Sequence, residues 1–127
     1  MKNWSGHIIF PDDFQWKYLE KSYKGLMELF FEETGELEEE PDHRDVIIYI
    51  NMLDIKNNRK PEGYNREGKL RMIFPLHRKE ITILSPLPEA YVRDVSESLS
   101  RYLTSKKIKH NLEFDLMKYT EYRKKRK

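Results

Sequence analysis

The chain predicts an α+β domain: one mixed sheet of about five strands with two helices on one face, in the order strand, helix, three strands, helix, strand. Three observations carry this reading. Apolar residues recur at helical spacing over two long segments, short β-branched or alternating runs lie around them, and Pro or Gly marks most junctions. The length of 127 residues suits a single domain with a real core.

His7 to Phe10 is a short apolar run with β-branched residues, ended by Pro11, and reads as a strand. Asp12 or Asp13 can cap a following helix, and Gln15 stands where a capping box places a Gln. Phe14, Tyr18, Leu19, Tyr23, Leu26, Met27 and Phe30 share one helical face. That helix is expected from about residue 13 to 34, stopping at Gly35, a residue suited to the left-handed position after a helix. Val46 to Leu53 is apolar in both alternating sets: Val46, Ile48, Ile50 and Met52 against Ile47, Tyr49 and Leu53. Such a segment is expected to be a strand that is buried on both faces or covers a partner.

Residues 56–69 form a long polar connection with Pro61, Gly63 and Gly68, a length at which loops are often functional. Lys69 to Leu76 alternates, with Leu70, Met72, Phe74 and Leu76 on one face, and predicts a strand. His77 to Glu80 is a turn and Ile81 to Leu84 a further strand. Ser85-Pro86-Leu87-Pro88-Glu89 marks a helix start. Its apolar stripe is Tyr91, Val92, Val95, Leu99, Tyr102 and Leu103, and Lys106 and Lys107 suit the negative end of its dipole. Ile108 to Leu116 alternates as a strand with one wet face. The domain is thus expected to occupy 1–117, followed by a flexible basic tail, 118–127.

Composition narrows the chemistry. There is no Cys, hence no disulfide framework, thiolate metal site or thiol nucleophile. No apolar run approaches the ~20 residues of a membrane span, and no signal-peptide core opens the chain, so a cytoplasmic protein without a membrane partner is expected. His7, His43, His77 and His110 lack ligand spacing, so neither metal nor cofactor is expected. His110 is expected on the core side of its strand, His77 in a turn, and Ser96, Ser98 and Ser100 on a solvated helix face.

The formal charge is only +2, but it is segregated. Residues 32–42 carry seven acids and no base: Glu32, Glu33, Glu36, Glu38, Glu39, Glu40 and Asp42. Residues 56–71 carry six bases, Lys56, Arg59, Lys60, Arg66, Lys69 and Arg71, with Tyr64 among them. The tail carries Lys118, Arg123, Lys124, Lys125, Arg126 and Lys127, beside Tyr119 and Tyr122. The acidic stretch can meet a basic partner or fold back over the chain's own bases. Cations with interleaved Tyr can contact phosphates and stack on bases.

Two family comparisons arise from the motifs. Pro41-Asp42 precedes the apolar run 46–53, and Glu67-Gly68-Lys69 opens the next strand. With the element order, this resembles the PD-(D/E)xK nucleases. The resemblance implies a divalent metal held by Asp42 and Glu67, with Lys69 positioning the attacking water. The chain departs from that pattern by placing Asp42 ahead of the strand and Glu67 and Lys69 around a glycine. Residues Pro61 to Pro75 resemble the strand-loop-strand segment of ubiquitin-conjugating folds, where the missing Cys rules out thioester chemistry. The expectation is a non-catalytic binding or regulatory protein acting through protein contacts. The alternatives are an RNA- or single-strand-binding module using loop 56–71 and the tail, and a metal-dependent nuclease.

Overall fold

The computed structural model describes residues 4–66, 70–87 and 89–115. Four strands, β1 (Trp4–Ile9), β2 (Arg71–Ile73), β3 (Glu80–Ser85) and β4 (Asn111–Phe114), form a sheet in the order β2-β3-β1-β4. Every neighbouring pair is antiparallel. Three helices accompany it: α1 (Tyr23–Thr34), α2 (Pro41–Lys56) and α3 (Glu89–Ser105), with a 3-10 turn over Trp16–Leu19. The class is α+β as expected, but among the described residues the sheet has four antiparallel strands rather than about five in a mixed arrangement, and there are three helices rather than two.

The register explains which face is packed. Ile8 stands opposite Ile81 and Leu112, and Gly6 opposite Ile83 and Phe114. Met72 pairs with Ile83. Ile8, Met72, Ile81 and Ile83 are fully buried in one cluster with Leu26, Met27, Phe30, Phe31, Val95 and Leu99 from the helices. α3 crosses this face closely because Gly6 has no side chain: a Cβ there would collide with the Ser96 hydroxyl. α1 packs on α3 and on α2. There too a glycine permits the approach, since a Cβ at Gly25 would collide with the Tyr102 hydroxyl.

The predicted strand at 46–53 is instead the middle of α2. Its start was signalled by Pro41 in the first turn and Asp42 beside the positive helix end. The inner face carries Ile48, Asn51 and Ile55, all buried at helical spacing. The outer face is also apolar, so the residues show no contrast at either period, and alternation looked like a two-sided strand.

The predicted helix over 13–34 breaks in its first half. In a helix, Phe14 and Trp16 would point roughly 160° apart. Here both enter one aromatic cluster, with Phe14 stacked on Phe10 at 4.1 Å and edge-on to Trp16 at 5.4 Å. That requires the extended backbone of Gln15 (φ −122°, ψ 142°), so regular helix begins only at Tyr23. The stop at Gly35 is as expected: it adopts φ 71° and donates to the Phe31 carbonyl.

The predicted strand 69–76 shrinks to Arg71–Ile73, and Leu76, expected on the inner face, is 73% exposed. Pro75 cannot donate to a ladder, and the chain turns at His77, whose φ is +61°. β4 begins at Asn111 rather than Ile108 because the Ile108 amide closes α3 on the Leu103 carbonyl. Residues 116–127, including the predicted tail, lie outside the described residues.

Candidate functional site

The outer face of α2 holds four of the seven large apolar residues that are exposed among the described residues. Val46, Tyr49, Ile50 and Leu53 follow one another at i, i+3, i+4 and i+7, a continuous stripe of the kind that normally faces a core. They are 53%, 63%, 43% and 40% exposed. The opposite face of the same helix is already used, by Ile48, Asn51 and Ile55. One end of the stripe is marked by Asp42 and the other by Lys56, both exposed.

Asn51 holds the helix in this orientation. It is 1% exposed. Its Oδ1 accepts from the Gly63 amide (2.7 Å) and from the Tyr23 hydroxyl (3.1 Å). Its Nδ2 donates to the carbonyls of Ile47 (2.8 Å) and Gly63 (3.2 Å). Burial, reinforced by the charge of Asp54, pushes the Tyr23 phenol well above its ordinary pKa, so it stays a neutral donor. Gly63 adopts φ +75°, and a Cβ there would strike the Met72 carbonyl, so only glycine fits.

The acidic stretch is divided in role. Glu36 is half-buried and turns back on the loop: its carboxylate accepts from the Tyr64 hydroxyl (2.9 Å) and the Leu70 amide (3.4 Å). Burial, then the hydrogen bond and charge of Glu36, push the Tyr64 phenol up to about 12. Glu33 accepts from Ser98 at 2.5 Å. Glu32, Glu38, Glu39, Glu40 and Asp42 are exposed. Glu38, Glu39 and Glu40 lead directly into the N-terminus of α2, where Asp42 stands in the first turn ahead of the apolar stripe.

The basic loop is dispersed. Lys56, Arg59 and Arg66 are exposed, although Arg59 pairs with Asp54 (3.4 Å) and Arg66 donates to His43 (3.0 Å). Lys60 is half-buried and donates to the Phe74 carbonyl, and Arg71 is half-buried on β2. Tyr64, which the sequence suggested as a base-stacking ring, is 3% exposed and packs against Phe30 and Phe31. Lys69, Glu67, Tyr119, Tyr122 and Arg123 to Lys127 lie outside the described residues. Asp42, required on a strand by the nuclease pattern, stands in the first turn of a helix. Among the described residues no three His, Asp or Glu side chains converge as a metal site would need.

One arrangement escaped sequence reasoning. On the sheet face opposite the core, His7 stands across from Thr82. His7 Nδ1 lies 2.5 Å from Glu80 Oε2, and His7 Nε2 lies 2.9 Å from Ser5 Oγ. The Thr82 hydroxyl donates to the same Glu80 oxygen at 2.7 Å. Burial would raise the Glu80 carboxyl, but hydrogen bonds from His7 and Thr82 and the charges of His7 and Arg78 hold it below its ordinary value. Ser, His and Glu here follow the order that activates a serine nucleophile. Ser5 is 2% exposed and His7 fully buried, however, and neither lines the clefts described below. The network satisfies polar groups that are buried in this structure. The sequence carried little sign of it, since Ser5 and Glu80 lie just outside the strands expected over 7–10 and 81–84.

The serines of α3 also differ from expectation. Ser96 and Ser98 are buried, because they sit where α3 meets β1 and α1. Ser100 bonds to the ring of half-buried His110 (2.7 Å). His77 is exposed in its turn, as the sequence predicted.

Two adjoining clefts, of about 650 and about 470 Å³, share Pro11, Lys107, Ile108 and Lys109 beside the end of α3. A third, of about 530 Å³, lies between α1 and the start of α2, bordered by Glu28, Glu32, Arg44 and Asp45. No helix among the described residues is long and apolar enough to cross a membrane. No protein-family model, curated protein or solved structure matches the chain.

Proposed function

We propose that the chain is a non-catalytic binding protein whose working surface is the outer face of α2, continued by the acidic collar Glu38, Glu39, Glu40 and Asp42. The exposed stripe of Val46, Tyr49, Ile50 and Leu53 supports this reading most strongly. Single exposed apolar residues need no explanation, but four in register on one helix form a patch of the sort that partners cover. Tyr49, the most exposed of them, has the apolar body and polar tip favoured at interface centres. The complementary surface is therefore apolar at its middle, cationic where it meets the collar, and anionic where it meets Lys56.

The test compares the native size of the full chain, isolated after crosslinking in the cells that make it, with that of an Ile50→Lys/Leu53→Lys variant. Both positions are solvent-facing, so the variant keeps its circular dichroism and melting temperature. Assemblies larger than the monomer are expected for the parent and lost in the variant. An identical size distribution in both would overturn the reading.

A further inference from the structure

We propose that the partner on this face is a second copy of the chain, docked through α2 in antiparallel orientation across a two-fold axis. The proposal rests on the reading of α2 as the binding surface. An isologous interface must be complementary to itself, and few surface patches are. This one is. Pairing Val46 with Leu53 of the second copy places Tyr49 opposite Ile50 and Ile50 opposite Tyr49. The same register brings Asp42 within one residue of Lys56 of the other copy, an offset of about 1.5 Å along the axis. Acid thus meets base at both ends of the contact, and the two helix dipoles oppose each other. A parallel pairing would set Asp42 against Asp42 and Lys56 against Lys56, and so is disfavoured. The occupant that fits the apolar middle, the cationic end and the anionic end together is the chain itself.

The size of the patch sets the strength. The exposed parts of the four stripe residues amount to roughly 350 Å², below the ~800 Å² per partner of a standard interface. The dimer is therefore at the weak, reversible end of specific interfaces.

Sedimentation equilibrium on the purified full chain, from about 10 µM to about 1 mM, tests this. A monomer–dimer equilibrium is expected for the parent, and Ile50→Lys is expected to stay monomeric throughout with an unchanged melting temperature. The decisive arm uses Asp42→Lys and Lys56→Asp. Each alone places like charges opposite each other at both ends, so self-association falls at least about tenfold. In a mixture, the first variant is basic at both positions and the second acidic at both. Opposite charges then meet at each end of the contact, so heterodimers form with roughly the parent affinity. A mixture that associates no better than the separate variants overturns the antiparallel pairing. A parent that stays monomeric at about 1 mM overturns the second copy as occupant. The crosslinked assemblies lost in Ile50→Lys/Leu53→Lys would still stand in that case, and would then contain a different protein.

Discussion

Replacing Asn51 by Ala is expected to be among the most destabilising single truncations of a polar residue in this protein. The role of Asn51 is to satisfy other buried polar groups. Without its side chain, the buried Tyr23 hydroxyl and the Gly63 amide both lose their acceptor, and the Gly63 carbonyl loses a donor. An unsatisfied buried donor costs about 1–3 kcal/mol. Water entering the vacated space would recover part of the carbonyl and amide losses, so the net cost is about 3–4 kcal/mol. Against a total stability of about 5–15 kcal/mol this is a large share, and it corresponds to a fall of roughly 10–15 °C in melting temperature. Urea unfolding followed by circular dichroism and by the fluorescence of buried Trp16 would measure it. Tyr49→Ser, on the outer face of the same helix, serves as the control and should lie within about 0.5 kcal/mol of the parent. If Asn51→Ala cost less than about 1 kcal/mol, Asn51 would not be what anchors α2 to the loop, and the orientation of the stripe would need another cause.

Three further outcomes follow from buried polar groups. Ser96 Oγ is buried and finds no hydrogen-bond partner among the described residues, so Ser96→Ala should leave stability unchanged or raise it by about 1 kcal/mol in the same urea assay; a loss of that size would show that the hydroxyl is satisfied. Glu80 has a carboxyl held below its ordinary pKa, so its contribution is present above the unfolded value of about 4.3 and is lost as pH falls through the folded one. Glu80→Gln should therefore lower stability at neutral pH by about 1–3 kcal/mol and flatten the acid limb of the pH–stability curve, and an unchanged slope below pH ~4.3 would contradict this. Tyr64 is raised to about 12, so its contribution is complete below the unfolded value of about 10 and is lost as pH rises through about 12; Tyr64→Phe should blunt that alkaline loss, and titration of the parent's Tyr64 near the ordinary value would refute it.

The sequence disclosed those elements whose residues had one clear face. β1, β3 and α3 lie where short β-branched runs and one helical stripe placed them, and Gly35 ends α1 for the reason a glycine ends helices. It misled where one segment serves two surfaces. α2 is apolar inside through Ile48 and Ile55 and outside through Val46, Tyr49, Ile50 and Leu53, so neither period stood out. The expectation that this segment covers a partner belonged to the wrong secondary structure, yet it sprang from the same excess of apolar residues that now marks the outer face. The charged segments were visible as composition, but pairing divided them: Glu33 and Glu36 bond to Ser98 and Tyr64, while Glu38 to Glu40 and Asp42 remain outside. Tyr64 looked like an exposed aromatic among bases, and tertiary packing against Phe30 and Phe31 buried it. The His7, Glu80, Thr82 and Ser5 network depends on two strands distant in sequence being neighbours, which no local pattern reveals.

The most direct test of the account is a crosslinking scan over the exposed large apolar residues. A photoreactive benzophenone side chain would replace, in turn, Tyr18, Tyr49, Leu76 and Tyr91, which are 52%, 63%, 73% and 38% exposed. Each full-length variant would be irradiated in the cells that make it and the adducts weighed. If the outer face of α2 is where the protein meets its partner, position 49 gives a discrete adduct in high yield, and Ile50→Lys abolishes it. Adducts arising from position 76 or 91 while position 49 stays uncrosslinked would contradict the account and move the binding surface elsewhere.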